Sequence, residues 1–535
     1  MANDGNSSTE GNGKSNRSRR GFIGIVGTGI GAGVMIGPSG GERDIAAPDP
    51  EEYSQILDRM PGTGDPDDPY IISKLRQLQA IEGDRTGYFE LGSSIDAAPT
   101  ATWNGGNPNP AGFVPISQFS GALDGNGHEI DELTINRPEV DQIGLIGLLE
   151  AGRIVDVGLV DATVRGNDSV GVLVGETALG NIVHDVSASG TVTGTVGVGG
   201  LIGTNPDHTP VEAAAAAVEV AGTSSVGGLL GECSTMSNVS GATATGDVVG
   251  EHNVGGLVGW LDESEISESY ATGHVCGETA TGGLVGATEN DVEITSAAAT
   301  GDVQGVTSVG GLVGDSSDTR FDSGLATGTV LGTNAVGGFV GSTSWGDRLT
   351  HSVATGSVRG DTAVGGLVGR QWDGTVEASY AVGAVTGAEN VGGLVGCLDE
   401  LSTVTDAYTM GSVSGTSVVG GLIGSVAASS VASTYAVGPV VGEDDVGGLV
   451  GHANDTRDVA DSYWDVPATG LTDSDGGTGI GELDDDAPAR DMVGAAAAET
   501  MSTFDFTAVW ETIEDPADYP VLRAIDSEEQ LEDRA

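Results

Sequence analysis

The stretch Val254-Gly255-Gly256-Leu257-Val258-Gly259 decides how the rest of this chain is read, because it returns almost unchanged along the sequence. Its last glycine falls at Gly147, Gly175, Gly203, Gly231, Gly259, Gly286, Gly314, Gly341, Gly369, Gly396, Gly424 and Gly451, twelve copies spaced 27 or 28 residues apart. A fixed period of this length marks a repeat architecture in which no unit buries its own apolar face. Seven or eight residues past that glycine comes an aliphatic or aromatic residue, as at Val239, Ile266, Phe321, Leu349 and Val431. A third apolar run follows, seen in Tyr270-Ala271-Thr272-Gly273-His274-Val275-Cys276-Gly277. Each unit therefore offers three short runs of strand length, separated by glycine or polar residues.

Stacking these units in register predicts an all-β, right-handed parallel β-helix of about twelve 27–28-residue coils, with three short strands per coil. At strand spacing, the stack is about 55–60 Å long before its caps. All the length variation lies just after the Val-Gly-Gly-Leu-Val-Gly block, so that corner is expected to be an exposed ridge. The other corners hold glycines, implying either positive φ or close coil-to-coil approach. The domain reading is a signal and linker over 1–60, an N-terminal cap with the first coils over 61–140, the repeat solenoid over 141–465, and an acidic loop with a C-terminal cap over 466–535. The caps are expected because an open stack presents unpaired strand edges.

Composition fits a thin, regular core. Glycine supplies 91 of 535 residues and aromatics 4%, yet 38% of positions are hydrophobic, which a disordered chain would lack. The net charge is −58, and only Lys14 and Lys74 are lysines. Such self-repulsion opposes a compact state at ordinary salt, whereas at molar salt the Debye length falls to about 3 Å. Acid-rich, lysine-poor composition resembles that of halophilic archaeal proteins. No basic stripe exists to neutralise phosphates, so nucleic acid is excluded as a partner. Cys233, Cys276 and Cys397 form neither a CxxC nor an even set, and read as small buried residues or weakly exposed thiols.

The N-terminus reads as an export address. Arg19-Arg20-Gly21-Phe22 precedes an apolar, uncharged run over residues 22–36. The paired arginines with Phe22 two places on resemble a twin-arginine signal, which implies the twin-arginine export machinery as a partner. The run is too short and glycine-rich for a membrane span, and the mature chain is expected to have none.

Repeated VGGLVG blocks followed by SYATGxVxG resemble the GLUG-motif repeats of bacterial and archaeal surface proteins. The lead-in Asp65-Pro66-Asp67-Asp68-Pro69-Tyr70-Ile71-Ile72 and the exit Ser462-Tyr463-Trp464-Asp465 resemble the flanks of such proteins. The resemblance implies a β-solenoid at the cell surface or outside it, with cell-envelope glycans or surface proteins as partners, and no single activity. The favoured expectation is a non-catalytic, adhesin-like protein; the alternatives are a secreted polysaccharide lyase or hydrolase of β-helix type, and a structural spacer.

No catalytic set and no metal or cofactor site is assigned. None of the seven histidines lies in H-E-x-x-H. Asp124 is the best single carboxylate for polysaccharide chemistry, and Arg348, Arg359 and Arg370 are the only clustered cations of the repeats; no unit departs from the repeat as an active site should. Trp260, Trp345 and Trp372 on the variable ridge are candidates for glycan contact, against the alternative of indoles folded back over the corner. The tyrosines at 270, 380, 408, 435 and 463 share one repeat position and read as a packed ladder or a sugar-stacking strip. The loops Asp473-Ser474-Asp475 and Asp484-Asp485-Asp486 offer oxygen ligands to Ca²⁺, or are simply solvated. Asn167, Asn238 and Asn454 begin glycosylation sequons. Native-salt fractionation of the producing cells, followed by mass spectrometry of N-terminal peptides, checks the address. The chain is expected outside the cytoplasm: envelope-bound with the 22–36 peptide intact if the signal is an anchor, released without it if cleaved.

Overall fold

The structure is a computed structural model that describes residues 46–105, 109–454, 459–483, 490–513, 518–526 and 530. Arg19, Arg20 and Phe22 lie outside the described residues. Parallel coils stack into a β-solenoid, as the repeat predicts. One sheet has 13 parallel strands, from Ile116–Phe119 to Val450–Ala453. A second has 11, from Asp168–Val170 to Asp444–Gly447. The third side of each coil breaks into three short pieces, for example Glu265–Ser267, Tyr270–Ala271 and Val275–Cys276, each paired with the same piece of the next coil.

The six-residue block works as a corner between the first two sheets. Val254, Leu257 and Val258 all point inward and are fully buried. The turn at Gly255-Gly256 lets a strand of the second sheet give way to one of the first within two residues. Even the corner bonds to its neighbour: Leu257 N–H donates to Leu284 O at 2.8 Å, and Leu284 N–H to Leu312 O at 2.8 Å. The backbone is therefore satisfied along the stack rather than within a coil. The aliphatic residues after the block, among them Val239, Ile266, Phe321, Leu349 and Val404, are buried as read.

Close approach, not positive φ, explains the block's glycines. A Cβ at Gly311 would stand 2.0 Å from the Gly338 carbonyl oxygen of the next coil, and one at Gly310 would stand 1.9 Å from Val313 O. The positive-φ bends fall outside the block, mostly on other residue types. One column runs Asn253, Ala280, Ser308 and Ala335 (φ +50° to +53°); another runs Glu268, Ser296, Ser323 and His351 (φ +48° to +59°).

Both ends are covered. At the N-terminal end, Leu75–Gln79 and Tyr53–Leu57 bury Leu75, Leu78, Tyr53 and Leu57 against the core. The Gln79 amide there exchanges hydrogen bonds with the Val114 backbone at 2.8 and 2.9 Å. At the other end, Ser474 Oγ accepts from Val450 N–H at 2.9 Å, and Thr478–Ile480 pairs with Tyr463–Asp465. The aromatic C-terminal segment then folds back over the outer face of the third sheet. It buries Tyr380, Tyr408 and Tyr435 beneath Trp510, Tyr519 and Leu522. Tyr435 Oη donates to Pro520 O at 2.6 Å, and Trp510 Nε1 to Asp406 Oδ1 at 2.9 Å.

Gly311→Ala is expected to destabilise the solenoid by about 3 kcal/mol, because two backbones must separate. Ser323→Gly, at an exposed left-handed bend, is expected to change stability by less than about 0.5 kcal/mol. Denaturation at molar salt followed by circular dichroism distinguishes the two.

Candidate functional site

The ridge after the block carries the most exposed large aromatic side chain near the sequence candidates. Trp345 is 63% exposed and sits at φ +56°. Its ring meets Trp372 of the next coil edge to face, with centroids 4.6 Å apart and planes at 89°. The pair arises because Thr343 and Gln371 are register partners, so the residues just after them, Trp345 and Trp372, leave adjacent coils at the same corner. Beneath the bend, Asp347 is 1% exposed and clamps the loop: Oδ2 accepts from Ser344 N–H at 2.8 Å, and Oδ1 from Thr319 N–H at 2.7 Å. Burial pushes the Asp347 carboxyl up to about 7, because desolvation outweighs the hydrogen bonds that favour its charged form.

Trp260 does not join this pair. It lies in the column of Ala287, Asp315, Ser342 and Arg370, three coils before Ser342, and is half-buried. The three arginines also separate. Arg348 sits on the first piece of the third side and pairs with Glu377 at 2.5 Å, Arg359 sits on its last piece, and Arg370 projects from the 13-stranded sheet. Closeness in sequence is no guide here, since a residue's neighbours are 27 or 28 positions away.

The tyrosine column is a packed ladder where the C-terminal segment covers it. Tyr380, Tyr408 and Tyr435 stack at 4.8 and 5.0 Å with planes within 6°. Tyr270, in the same column but beyond that cover, is 38% exposed. Cys233 and Cys397 are buried, and desolvation pushes their thiols up to about 12 and about 11; Cys276 is exposed. Asn238 and Asn454 are exposed, while Asn167 is half-buried with its amide engaged by Asp141 and Thr195. Asp475 Oδ2 accepts from Ala453 N–H at 3.1 Å as part of the end closure, and residues 484–486 lie outside the described residues. Among the described residues no group of three or more His, Cys, Asp or Glu side chains could hold a metal ion.

One feature escaped the sequence. Asp124, Asn126, Arg153, Asp156, His184 and Asp185 line an open cleft of about 550 Å³ on the third side of the first coils. A register shift between Asp124 and His128 makes room for it. Asn126, Asp156 and Asp185 all lie at positive φ, +50° to +52°, so the bends themselves turn these side chains toward the cleft. His184 Nδ1 contacts Asp185 Oδ2 at 2.9 Å. Carboxylates, an arginine and a histidine are thus gathered on one face. The available signal was the uneven spacing of these coils, 31 residues from Leu123 to Ile154 and 29 from Ile154 to Val183, against the 27 or 28 of the later repeats.

Comparison with known proteins agrees with the repeat. The GLUG motif matches residues 250–275 and 360–386, two copies of the corner block with its following strands. Halomucin of Haloquadratum walsbyi (strain DSM 16790 / HBSQ001) is 38% identical over 142 residues, 25% of this chain and 2% of halomucin. The chain therefore spans a small part of that relative. A solved structure from Bacteroides ovatus, described as a candidate immunoglobulin A1 protease, covers 87% of this chain and 95% of its own at 14% identity; its TM-score of 0.26 carries no argument. The chain is a β-solenoid that carries GLUG motifs. Among the described residues, no helix is long and apolar enough to cross a membrane.

Proposed function

We propose that this chain is an exported, non-catalytic surface protein whose ridge contacts envelope glycans or neighbouring surfaces, with Trp345 and Trp372 as the contact point. The edge-to-face indole pair, with Trp345 exposed and Trp372 half-buried, carries this reading. An indole 63% exposed leaves a large apolar face in water, and a sugar ring removes that face from water while its hydroxyls stay solvated. The paired geometry holds one ring against rotation, which lowers the ordering cost of binding. The GLUG motifs and the halomucin segment support a surface setting. The fold adds support: a repeat stack keeps its core inside and leaves each ridge free to vary. Export through the paired Arg19 and Arg20 belongs to the same proposal.

Titration of the protein with envelope polysaccharide in molar salt, read by tryptophan fluorescence, tests it. Trp345→Ala is expected to weaken binding about tenfold, or about 1.4 kcal/mol, while Trp260→Ala leaves it unchanged. Equal affinities for wild type and Trp345→Ala would sink the assignment.

The cleft supports a second reading, polysaccharide cleavage by a β-helix enzyme. In-register carboxylates on adjacent coils, such as those of Asp156 and Asp185, lie at roughly the 5 Å strand spacing, within the range a two-carboxylate mechanism uses. Release of reducing ends from anionic or neutral polysaccharides, abolished by Asp124→Asn and Asp156→Asn, would establish it. Absence of any release leaves the cleft a binding groove.

A further inference from the structure

The cleft of the first coils holds one arginine, Arg153, and the fold leaves it free of its acidic neighbours. Its register partners are uncharged: Ala122 in the coil before and Ile182 in the coil after. Two residues along the strand, Val155 is partnered by Asp124 and His184, which puts those two diagonal to Arg153, about 8 Å from it between Cα atoms. The Arg153 side chain is exposed, and among the described residues its guanidinium forms no ion pair and no hydrogen bond. Arg320 and Arg348, by contrast, each take a carboxylate from an adjacent coil, Asp291 at 2.9 Å and Glu377 at 2.5 Å.

The carboxylates of the cleft are turned to other partners. Asp124 Oδ1 accepts from Asn126 N–H at 2.9 Å, and Asp185 Oδ2 contacts His184 Nδ1 at 2.9 Å. Asp156 faces Gly127 of the coil before, past Asp124 on the side away from Ala122: a Cβ on Gly127 would stand 4.0 Å from both Asp156 oxygens. A chain with 78 acidic and 20 basic residues thus keeps an arginine among acids without pairing it to one. A guanidinium so placed offers its planar fork, two parallel hydrogen bonds at once, to a carboxylate from outside.

The column of Arg153 suits a sugar chain laid along the stack. It runs Tyr88, Ala122, Arg153 and Ile182 in register, and Tyr88 and Ile182 are both exposed. Tyr88 lies two strand spacings from Arg153, about 10 Å, and the small Ala122 between them keeps the strip open. The ring of Tyr88 takes the apolar face of a sugar, and Ile182 offers a second apolar contact on the far side of the arginine. We infer that this strip binds a uronate-containing polysaccharide, with Arg153 holding the carboxylate of one sugar and Tyr88 stacked under another. The inference rests on the reading of the cleft as a polysaccharide groove and names its substrate class. The acidic surroundings do not forbid an anionic chain. At molar salt the Debye length is about 3 Å, so a carboxylate two or more such lengths away acts weakly on one seated on Arg153.

Isothermal titration of the full chain with polygalacturonate, alginate and hyaluronan in molar sodium chloride, each beside its methyl ester, tests the assignment. The ester keeps the backbone of the polymer and removes its charge. At least one free acid is expected to bind about tenfold more tightly than its ester, and Arg153→Gln is expected to abolish that difference. Tyr88→Ala is expected to weaken binding of the acid severalfold while its preference over the ester remains. Trp345→Ala, on the distant ridge, is expected to leave the preference intact. An ester bound as tightly as its acid, a preference that survives Arg153→Gln, or no binding of any of the three polymers overturns the inference. A reducing-end assay on the same mixtures separates it from the cleavage reading. Cleavage indifferent to esterification overturns the substrate class alone, whereas acid-selective binding without cleavage supports the class and removes the enzyme.

Discussion

Everything in this protein depends on backbone meeting backbone between successive coils. Each coil exchanges hydrogen bonds with the coils on either side, including at the corners where Leu257, Leu284 and Leu312 hand hydrogen bonds along the stack. That arrangement satisfies the main chain without helices and without an edge, except at the two ends. It also sets the distance between coils. At that distance a Cβ on Gly256, Gly283 or Gly311 would collide with the carbonyl of the next coil. The glycine content of the chain is therefore a steric consequence of its hydrogen bonding.

With the glycine columns fixed, the core can only be thin. Val254, Leu257 and Val258 fill one side of the coil, Ile266, Ala271 and Val275 the other, and no large cavity remains for aromatic residues. Apart from the buried pair Phe321 and Phe339, aromatics are accordingly pushed to the ends, the ridge and the outer tyrosine column. The C-terminal segment then supplies a second, smaller core outside the stack, where Trp510, Phe504 and Tyr519 cover the stacked tyrosines. A continuous stack also leaves all but a few acidic side chains, Asp347 and Asp465 among the exceptions, on the outside, where salt screens them.

The stack was legible in the sequence because its signal repeats twelve times and each inward column keeps its character. Ile266, Phe321, Val376 and Val431 are buried for the reason their spacing gave. What could not be read depends on contacts that the repeat does not encode. Tyr435 meets Pro520, 85 positions away, and nothing in the aromatic C-terminal stretch says that it folds back over a sheet face rather than across the end. The cleft at Asp124 combines residues of three coils around a register shift. Arg348, Arg359 and Arg370 illustrate the opposite error: eleven residues carry the chain to another piece of the third side, and eleven more carry it to the 13-stranded sheet.

In such a molecule, chemistry is found where a column departs from its own average, and two departures here share one corner. The loop Ser344-Trp345-Gly346-Asp347 presents an exposed indole on one side and a buried carboxylate on the other. Asp347 Oδ2 holds the Ser344 N–H, and the residue between them and Gly346 is Trp345, in a left-handed bend that an L-residue adopts at some cost. The carboxylate thus holds from inside the conformation that aims the indole outward and against Trp372. Whatever neutralises Asp347 acts on that clamp, because a protonated carboxyl accepts an N–H more weakly than a charged one. The interior of the stack and its outer contact point are in this way joined through four residues of one loop.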